Sequence, residues 1–479
     1  MNVRITATAT LLLLVFTLSC AAPPPPAVHE APDRMTWWRE ARFGMFVHWG
    51  LYSMLGGEWE GFDYGKEMEG ASAEWIMLQA DIPTDDYAAL AERFNPTKFD
   101  AAKWVAIAKD AGMKYFVITS KHHDGFSLFD TELSDYDIIE RSPFKRDVIK
   151  ELADECARQG IRFGVYYSHS KDWYTRIKRR SDPNPPSANY IAFAQGQVRE
   201  LLTNYGDIGV LWFDTGGPFK EINSQYGQLV RQLSPQTIIG SRLNASDESL
   251  HDFRTMADRS IPEGRVDFDA ESPMTMRDNW GYDRDEDNWK SVKELLQRFS
   301  LTVCRGANML LNVGPTPEGE FVPEDVERLQ AFGRWTRING EAVYGTEGSP
   351  FGHDFEWGSM TQKPGRLYLH VLKWKSNGIR IPGLRSSVSK AYLLAGPAES
   401  LEVNSENGEV LIATPGTAPD ENVSVIVLEV DGPIEVDPTA TGERHWNVGT
   451  GIRLNTEKIK AQRAKGWVPM KLDPIQPQP

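Results

Sequence analysis

Short apolar runs alternate along the chain with segments whose apolar residues recur at helical spacing. The run Phe43–Val47 precedes a helical pattern between Asp100, its expected N-cap, and Gly112. The order then repeats through runs at 115–119, 162–167, 210–213, 237–242 and 308–314. Short apolar runs bounded by turn residues are typical of buried strands. Strands that alternate with helices predict a parallel sheet.

Polar side chains stand where these apolar runs end. They are His48, His122, His123, Tyr167, Asp214 and Arg242. In a (β/α) barrel the C-terminal ends of the strands converge on the active-site face. An open doubly wound sheet would also gather them, but it usually has a glycine-rich phosphate loop after its first strand, and no such loop follows the first run here. The pattern therefore favours an α/β fold, a (β/α)8-like barrel.

The stretch Gly209–Gly217 is the clearest of these strand ends. Residues 210–213 are all apolar, Asp214 ends the run, and Thr215 begins a Thr-Gly-Gly turn. A carboxylate in this position is placed to face a cleft. The alternative is that Asp214 only caps a loop or the next helix.

The pattern changes in the second half of the chain. Residues 243–290 are rich in Asp and Glu and short of apolar runs, so we expect long loops over the barrel mouth. Beyond about residue 345 the apolar period becomes two. We therefore expect a barrel over 35–345, an antiparallel β-sandwich over 346–436 and a poorly ordered polar tail over 437–479.

Charge excludes some classes of partner. The chain has 52 Lys and Arg against 67 Asp and Glu, a net charge of −15. A nucleic-acid or anionic-membrane surface requires a basic patch, so neither is an expected partner. The fifteen Trp suggest sugar binding, because flat rings stack on the apolar faces of pyranoses, although several must be ordinary core residues.

The N-terminal residues have the pattern of a targeting segment. Residues 1–20 form a short signal peptide with an apolar centre, and Cys20 stands where a bacterial lipoprotein carries its lipid. Residues 21–34 are a proline-rich tether. We favour an exported, lipid-anchored protein, in the periplasm or at the cell surface, over a plainly secreted one.

The other cysteines and the histidines do not indicate a metal or cofactor. Cys156 and Cys304 lie on apolar helical stripes and are expected to be core residues rather than a disulfide. The three strand-end histidines lack a His-x-x-His or His-x-His pair, so hydrogen bonding to sugar hydroxyls suits them better than metal binding. We therefore expect no metal and no cofactor.

A barrel rich in carboxylates and Trp favours glycoside hydrolysis, which requires a nucleophile or base and an acid. Several motifs then resemble the α-L-fucosidases of glycoside hydrolase family 29, in the order of that family. They span 43–53, 73–77, 94–100, 119–126, 163–168, 211–214, 279–282 and 310–315. The resemblance covers roughly residues 35–430, including the sandwich.

The resemblance implies a retaining exo-hydrolase that releases terminal α-L-fucose from a fucosylated oligosaccharide or glycoconjugate. Asp214 matches the family nucleophile. The fucose-pocket positions are matched by His48, Glu74, Trp75, His122, His123, Trp212, Arg242 and Trp280. Either Tyr166 or Tyr167 matches a further position, and we favour Tyr167.

The general acid/base is left with two candidates. Glu271 matches one family carboxylate, and Asp258 matches an earlier one that serves as the acid in some members. Glu263, Asp267 and Asp269 are expected to be solvated loop charges.

Two other functions stay open: a fucoside-binding lipoprotein without turnover, and a retaining glycosidase for another fucose- or galactose-like sugar. The oligomeric state and the fucosyl linkage are not predicted.

Overall fold

The computed structural model describes residues 33–64, 72–175, 184–406 and 408–439, together with Trp446, Val448 and Gly449. The expected signal peptide, Cys20 and most of the tether and tail lie outside these residues. The elements below belong to one compact unit that begins at Arg34. Among the described residues, no helix combines the length and apolarity that crossing a bilayer would require.

Among the residues that the structure describes, ten strands precede the C-terminal sheets. In chain order they are β1 (Phe43–Val47), β2 (Glu58–Trp59), β3 (Phe62–Asp63), β4 (Tyr115–Lys121), β5 (Arg162–Ser168), β6 (Ile208–Asp214), β7 (Ile238–Ile239), β8 (Arg254–Thr255), β9 (Ala270–Thr275) and β10 (Ala307–Val313). β2 and β3 form a separate hairpin.

The other eight strands form one parallel sheet in the order β7-β6-β5-β4-β1-β10-β9-β8. When the hairpin is left out, consecutive strands lie side by side, and the first strand, β1, also pairs with the last, β10. The two edges also meet, because Gly240 after β7 forms a parallel bridge with Phe253 before β8. The expected (β/α)8-like barrel is confirmed.

Helices precede, connect and follow the strands of this sheet. They span Thr36–Ala41, Tyr52–Leu55, Ile76–Gln79, Thr84–Ala88, Ala101–Asp110, Val148–Gln159, Ala188–Asn204, Lys220–Leu233, Val292–Cys304 and Pro323–Asn339. Four of the longer ones begin at a side chain that accepts a hydrogen bond from a backbone N–H of the first turn, as N-caps do. These caps are Asp100, Asp147, Ser187 and Ser291.

The barrel departs from the repeat between β7 and β9. The residues after β7 form only short 3-10 turns, Ser241–Leu243 and Glu248–Leu250. The expectation of loops throughout 243–290 was wrong, because β8 and the fully buried β9 lie within this range. β9 escaped notice since its sequence, Ala-Glu-Ser-Pro-Met-Thr, has no apolar run.

Two antiparallel sheets follow the barrel. Their strands are β11 (Gly358–Lys363), β12 (Arg366–Val371), β13 (Ile379–Pro382), β14 (Val388–Leu393), β15 (Gly396–Leu401), β16 (Val403–Glu406), β17 (Glu409–Ile412) and β18 (Ser424–Val430). One sheet has the order β11-β12-β18-β14-β15 and the other β13-β17-β16. Their inward residues share an apolar core. The fold class is thus a barrel followed by antiparallel sheets, as expected.

Polar contacts tie the last described residues to the body of the protein. Trp446 donates its indole N–H to the carbonyl of Phe355 at 2.9 Å, and Arg298 donates to the carbonyl of Gly449 at 2.8 Å. Cys156 and Cys304 are both buried and free, as the helical stripes predicted.

Candidate active site

Asp214 is the last residue of β6 and lies at the carboxyl end of the barrel. Its Oδ2 accepts a hydrogen bond from the Tyr166 hydroxyl at 3.0 Å, and its Oδ1 accepts from the backbone N–H of Thr215 at 2.8 Å. Nη1 of Arg242 is 3.2 Å from Oδ1, and Nε2 of His123 is 3.5 Å from Oδ2. Four neighbours therefore fix the direction of this carboxylate.

The turn after Asp214 is held in an uncommon conformation. Thr215 has φ 50°, a left-handed value that costs free energy for a residue with a side chain. Gly216 needs its lack of a Cβ, because an added carbon would lie 2.3 Å from the carbonyl oxygen of Leu243. The turn thus packs tightly against the loop after β7, which carries Arg242.

The electrostatic surroundings keep Asp214 ionised. Burial raises the pKa of its carboxyl, but His123 and the positive charges of Arg242 and Lys171 lower it by more. The net pKa lies well below the usual value for Asp. An ionised carboxylate is the form that a nucleophile requires.

Arg242 joins Asp214 to a second carboxylate. Its Nη1 contacts Asp214, while its Nη2 donates a short hydrogen bond to Oδ1 of Asp258. The guanidinium also lies 5.0 Å from the ring centre of Trp212, which restricts its plane. The Asp258 side chain is 29% exposed, so this carboxyl borders solvent at the barrel mouth.

Three histidines line the same face. Nδ1 of His48 is 2.7 Å from Oδ1 of Asn312, whose amide N–H donates to the carbonyl of Trp280 at 2.7 Å. Because the NH2 group of Asn312 points to Trp280, its Oδ1 points to His48. Nδ1 of His48 is therefore the donor in this hydrogen bond. Burial lowers the pKa of both His48 and His123 to about 4 and that of His122 further. A neutral imidazole has one donor and one acceptor nitrogen, so His48, whose Nδ1 donates to Asn312, can accept from a sugar hydroxyl at Nε2.

Tyr166, not Tyr167, belongs to this group, which corrects the sequence-based choice. Side chains alternate along a strand, so neighbours on β5 point to opposite faces. Tyr166 points inward to Asp214, whereas the Tyr167 hydroxyl donates to Gln197 at 2.8 Å in the layer between sheet and helices.

Glu74 and Trp75 come from the short 3-10 helix Ala73–Trp75 beside the barrel mouth. Oε2 of Glu74 accepts from the backbone N–H of Gly281 at 3.0 Å, and burial raises its pKa. The Trp75 ring lies 5.2 Å from that of His123, and Nζ of Lys171 lies 4.1 Å from its centre. Both residues therefore belong to the wall next to the histidines.

Trp280 lies beside His48 and immediately precedes Gly281, whose backbone N–H donates to Glu74. Its ring is 5.1 Å from the His48 ring, and the guanidinium of Arg259 lies 5.0 Å from its centre. Arg259 follows Asp258, has φ 60° and donates to the carbonyl of Asp278 at 2.7 Å. Through Arg259 the loop that carries Asp258 is thus fastened beside Trp280.

Glu271 lies deeper than the other candidates. It is the second residue of β9, and its side chain is fully buried. Its Oε2 accepts from the Tyr115 hydroxyl at 2.7 Å and its Oε1 from the Trp212 indole N–H at 2.8 Å. Burial raises the pKa of Glu271 to about 7. The carboxyl contacts the underside of Trp212 rather than the barrel mouth.

The arrangement suits the hydrolysis of a glycosidic bond. An ionised carboxylate, a second carboxyl, neutral imidazoles and indole rings lie together at the carboxyl end of the barrel. This combination supplies a nucleophile, a proton donor, hydroxyl-binding groups and flat apolar surfaces for one sugar ring.

Comparison with known proteins identifies the family. A family model described as α-L-fucosidase matches residues 24–341. The plasma α-L-fucosidase of Homo sapiens is 31% identical over 369 residues, which are 73% of this chain and 78% of that protein. The chain belongs to the α-L-fucosidase family.

Solved structures of α-L-fucosidases share the fold. The enzyme from Vibrio sp. strain EJY3 has a TM-score of 0.78 and 34% identity, with 85% of this chain and 74% of that chain covered. A family 29 α-L-fucosidase from Bacteroides thetaiotaomicron, trapped as a covalent intermediate with 2-fluoro-fucosyl fluoride, has a TM-score of 0.76 and 31% identity. That match covers 83% of this chain and 96% of the other.

Three residues of this fucosidase site were missed from the sequence. Asn312 holds His48, Lys171 lies against Trp75, and Arg259 fastens the Asp258 loop. Asn312 had a signal, because it is one of two asparagines in a strand whose other residues are apolar. Lys171 and Arg259 lie in loops, where no period indicates the direction of a side chain.

Proposed function

We propose that this enzyme removes terminal α-L-fucose from glycans with retention of anomeric configuration, with Asp214 as the nucleophile and Asp258 as the general acid/base. The observation that carries the proposal is the fork of Arg242, which contacts both carboxylates at the carboxyl end of the barrel. The covalent intermediate trapped in the related Bacteroides thetaiotaomicron enzyme supports a retaining, two-step route.

In the first step an oxygen of Asp214 attacks the anomeric carbon while the bond to the leaving group breaks. Asp258 gives its proton to the departing oxygen, and a fucosyl ester of Asp214 forms. In the second step Asp258 takes a proton from water, the water oxygen attacks the anomeric carbon, and Asp214 leaves as a carboxylate. Arg242 stabilises Asp258 between the two steps, when that carboxyl is ionised.

Position separates Asp258 from Glu271 as the acid. A general acid must come within hydrogen-bond reach of the leaving oxygen. Asp258 is partly exposed at the mouth and shares Arg242 with the nucleophile. Both oxygens of Glu271 are occupied by Tyr115 and Trp212 in the closed interior. These contacts support Asp258.

The remaining side chains would hold the fucose ring. The neutral imidazoles of His48 and His122 can bind its hydroxyls, and Glu74 can accept from another. The indoles of Trp75, Trp212 and Trp280 offer flat apolar surfaces for the ring and its methyl group. The sugar contacts are those of His48, Glu74, Trp75, His122, His123, Tyr166, Trp212, Arg242 and Trp280.

Chemical rescue with azide tests both catalytic roles. Asp214→Gly should lower kcat on an aryl α-L-fucoside by about 1,000-fold or more, and azide should restore turnover with a β-fucosyl azide as product. Asp258→Gly should instead yield the α-fucosyl azide. Asp207→Ala, which removes a 68% exposed carboxylate from the start of the same segment, is the matched control and should keep wild-type kcat. Wild-type turnover by Asp214→Gly would refute the nucleophile, and the absence of any α-azide from Asp258→Gly would refute the acid/base.

We also propose that the enzyme is exported and anchored through a lipid on Cys20. The support is the apolar segment of residues 1–20, the cysteine at its end and the proline-rich stretch that follows. Metabolic labelling with a fatty acid should mark the full-length chain in the membrane fraction, and Cys20→Ser should abolish the label. Labelling that persists in Cys20→Ser would place the lipid elsewhere.

A further inference from the structure

A closed polar cluster lies beneath the floor of the sugar site. At its centre Glu271 accepts hydrogen bonds from the Tyr115 hydroxyl at 2.7 Å and from the Trp212 indole at 2.8 Å. Glu271 and Tyr115 are fully buried, and Trp212 is nearly so. A carboxyl group is costly to bury, so two well-aligned donors indicate a built arrangement rather than an incidental contact.

The register of the strands shows how the cluster is constructed. Tyr115 is the first residue of β4 and pairs with Gly44 on β1. A Cβ on Gly44 would lie 2.4 to 2.6 Å from the Tyr115 ring, so only glycine lets that ring cross the interior toward Glu271. Tyr115 and Glu271 thus both come from the amino ends of their strands, opposite the carboxyl ends that carry the catalytic groups.

Trp212 connects this cluster to the nucleophile. Its ring stacks on Tyr166 with centres 5.5 Å apart and planes 18° apart. The guanidinium of Arg242 lies 5.0 Å from the same ring. Tyr166 and Arg242 are two of the groups that contact Asp214 directly. The orientation of one indole therefore affects both of these contacts.

We propose that Glu271 is a positioning residue that orients the Trp212 indole and, through it, places Tyr166 and Arg242 against Asp214. This proposal rests on the proposed function, in which Asp214 is the nucleophile. Glu271 holds the ring by its indole N–H from below, which leaves the upper part of the ring for the sugar. Without this hydrogen bond the indole N–H would be buried unsatisfied, and the ring would turn or tilt to recover a partner.

A pair of substitutions separates positioning from proton donation. Glu271→Gln keeps an oxygen for the Trp212 N–H, and its amide can donate to the Tyr115 oxygen, so kcat should stay within about threefold of wild type. Glu271→Met keeps the volume but removes both acceptors. We expect kcat to fall about 10- to 100-fold with little change in KM, by the same factor on an activated aryl fucoside and on a fucosyl disaccharide.

The double variant tests whether Glu271 acts through Trp212. Trp212→Phe has no indole N–H, so adding Glu271→Met to it should lower kcat by much less than Glu271→Met lowers the wild-type value. If Glu271→Met does not fold, Glu271→Leu, which also lacks both acceptors, takes its place in the cycle, and the stability of each variant is compared by thermal unfolding.

Three outcomes would overturn the proposal. Glu271→Met with wild-type kcat would show that the carboxyl has no positioning role, and fully additive losses with Trp212→Phe would show that it acts elsewhere. A loss in Glu271→Gln that is far larger on the disaccharide than on the aryl fucoside would make Glu271 the acid. The azide products of Asp214→Gly and Asp258→Gly are measured separately, so a failure of the proposed function is recognised independently.

Discussion

The hydroxyl of Tyr166 donates a hydrogen bond of 3.0 Å to Oδ2 of Asp214. Tyr166 is 1% exposed and Asp214 8% exposed, and the hydrogen bond leaves the carboxylate charged. When Asp214 forms an ester with the sugar, its charge is lost and the hydrogen bond weakens. The Tyr166 hydroxyl therefore acts on the direction of attack more than on the stability of the ester.

Tyr166→Phe and Tyr167→Phe alter adjacent residues, but the first should affect catalysis and the second stability. We expect Tyr166→Phe to lower kcat on an aryl α-L-fucoside by about 10- to 100-fold, because one donor to the nucleophile is lost. Tyr167→Phe should keep kcat but lower the free energy of unfolding by about 1 to 2 kcal/mol, since the Gln197 oxygen loses its donor. Steady-state kinetics and urea unfolding distinguish the two. Equal kinetic losses would contradict the assignment of Tyr166 to the site.

The fold could be predicted from the sequence largely because most barrel strands are apolar on both faces. Residues 43–47 contain no polar side chain, residues 309–311 form a shorter apolar run, and both runs identify buried parallel strands directly. β9 carries Glu271, Ser272 and Thr275 on a fully buried strand, so its composition resembles a loop. Its polar side chains are buried because they meet partners from other strands, and the sequence of β9 alone does not contain those partners.

Site residues at the ends of apolar strands could be predicted from the sequence. Residues whose role depends on how deep they lie in the barrel could not. Asp214 and Arg242 could be placed by their position after a strand. Glu271 lies at the start of its strand, but that strand was not recognised, so its depth in the barrel could not be foreseen. The choice between Tyr166 and Tyr167 depends on which face of β5 points inward. Between Arg162 and Ser168 every residue of β5 is apolar or aromatic, so the sequence carries no alternation to decide it.

Arg242→Lys tests whether catalysis requires the separate contacts of the two Arg242 nitrogens in addition to the positive charge. A lysine has a single nitrogen and cannot contact Asp214 and Asp258 with two separate atoms as the guanidinium does. We expect kcat/KM to fall about 100-fold on a fucosyl disaccharide while the charge at the site is unchanged. Arg254→Lys, which alters an exposed arginine on the neighbouring strand β8, should have wild-type kinetics. Full activity of Arg242→Lys would mean that charge alone is sufficient.

Gly44→Ala should disturb the cluster beneath the site without touching the sugar. The new methyl group would meet the Tyr115 ring at 2.4 to 2.6 Å, well inside van der Waals contact. Overpacking of this kind costs about 1 to 3 kcal/mol, and we expect a lower Tm. The control is Gly352→Ala, where an added Cβ has no neighbour within 4 Å. A Gly44→Ala protein as stable as wild type would show that the Tyr115 ring moves aside freely.

The raised pKa of Glu271 predicts a specific dependence of stability on pH. Burial raises this pKa from 4.5 to about 7, against the hydrogen bonds of Trp212 and Tyr115 and the charge of Arg242. Between pH 4.5 and about 7 the Glu271 carboxyl keeps its proton in the folded protein but loses it in the unfolded chain. The free energy of unfolding therefore falls as pH rises through this range. Glu271→Gln has no proton to lose. The stability of Glu271→Gln relative to wild type should therefore increase from about pH 4.5 to 7, by up to about 3 kcal/mol, and then level off. Urea unfolding of both proteins across this range measures the difference, and a difference that is constant with pH would mean that Glu271 titrates near its ordinary value.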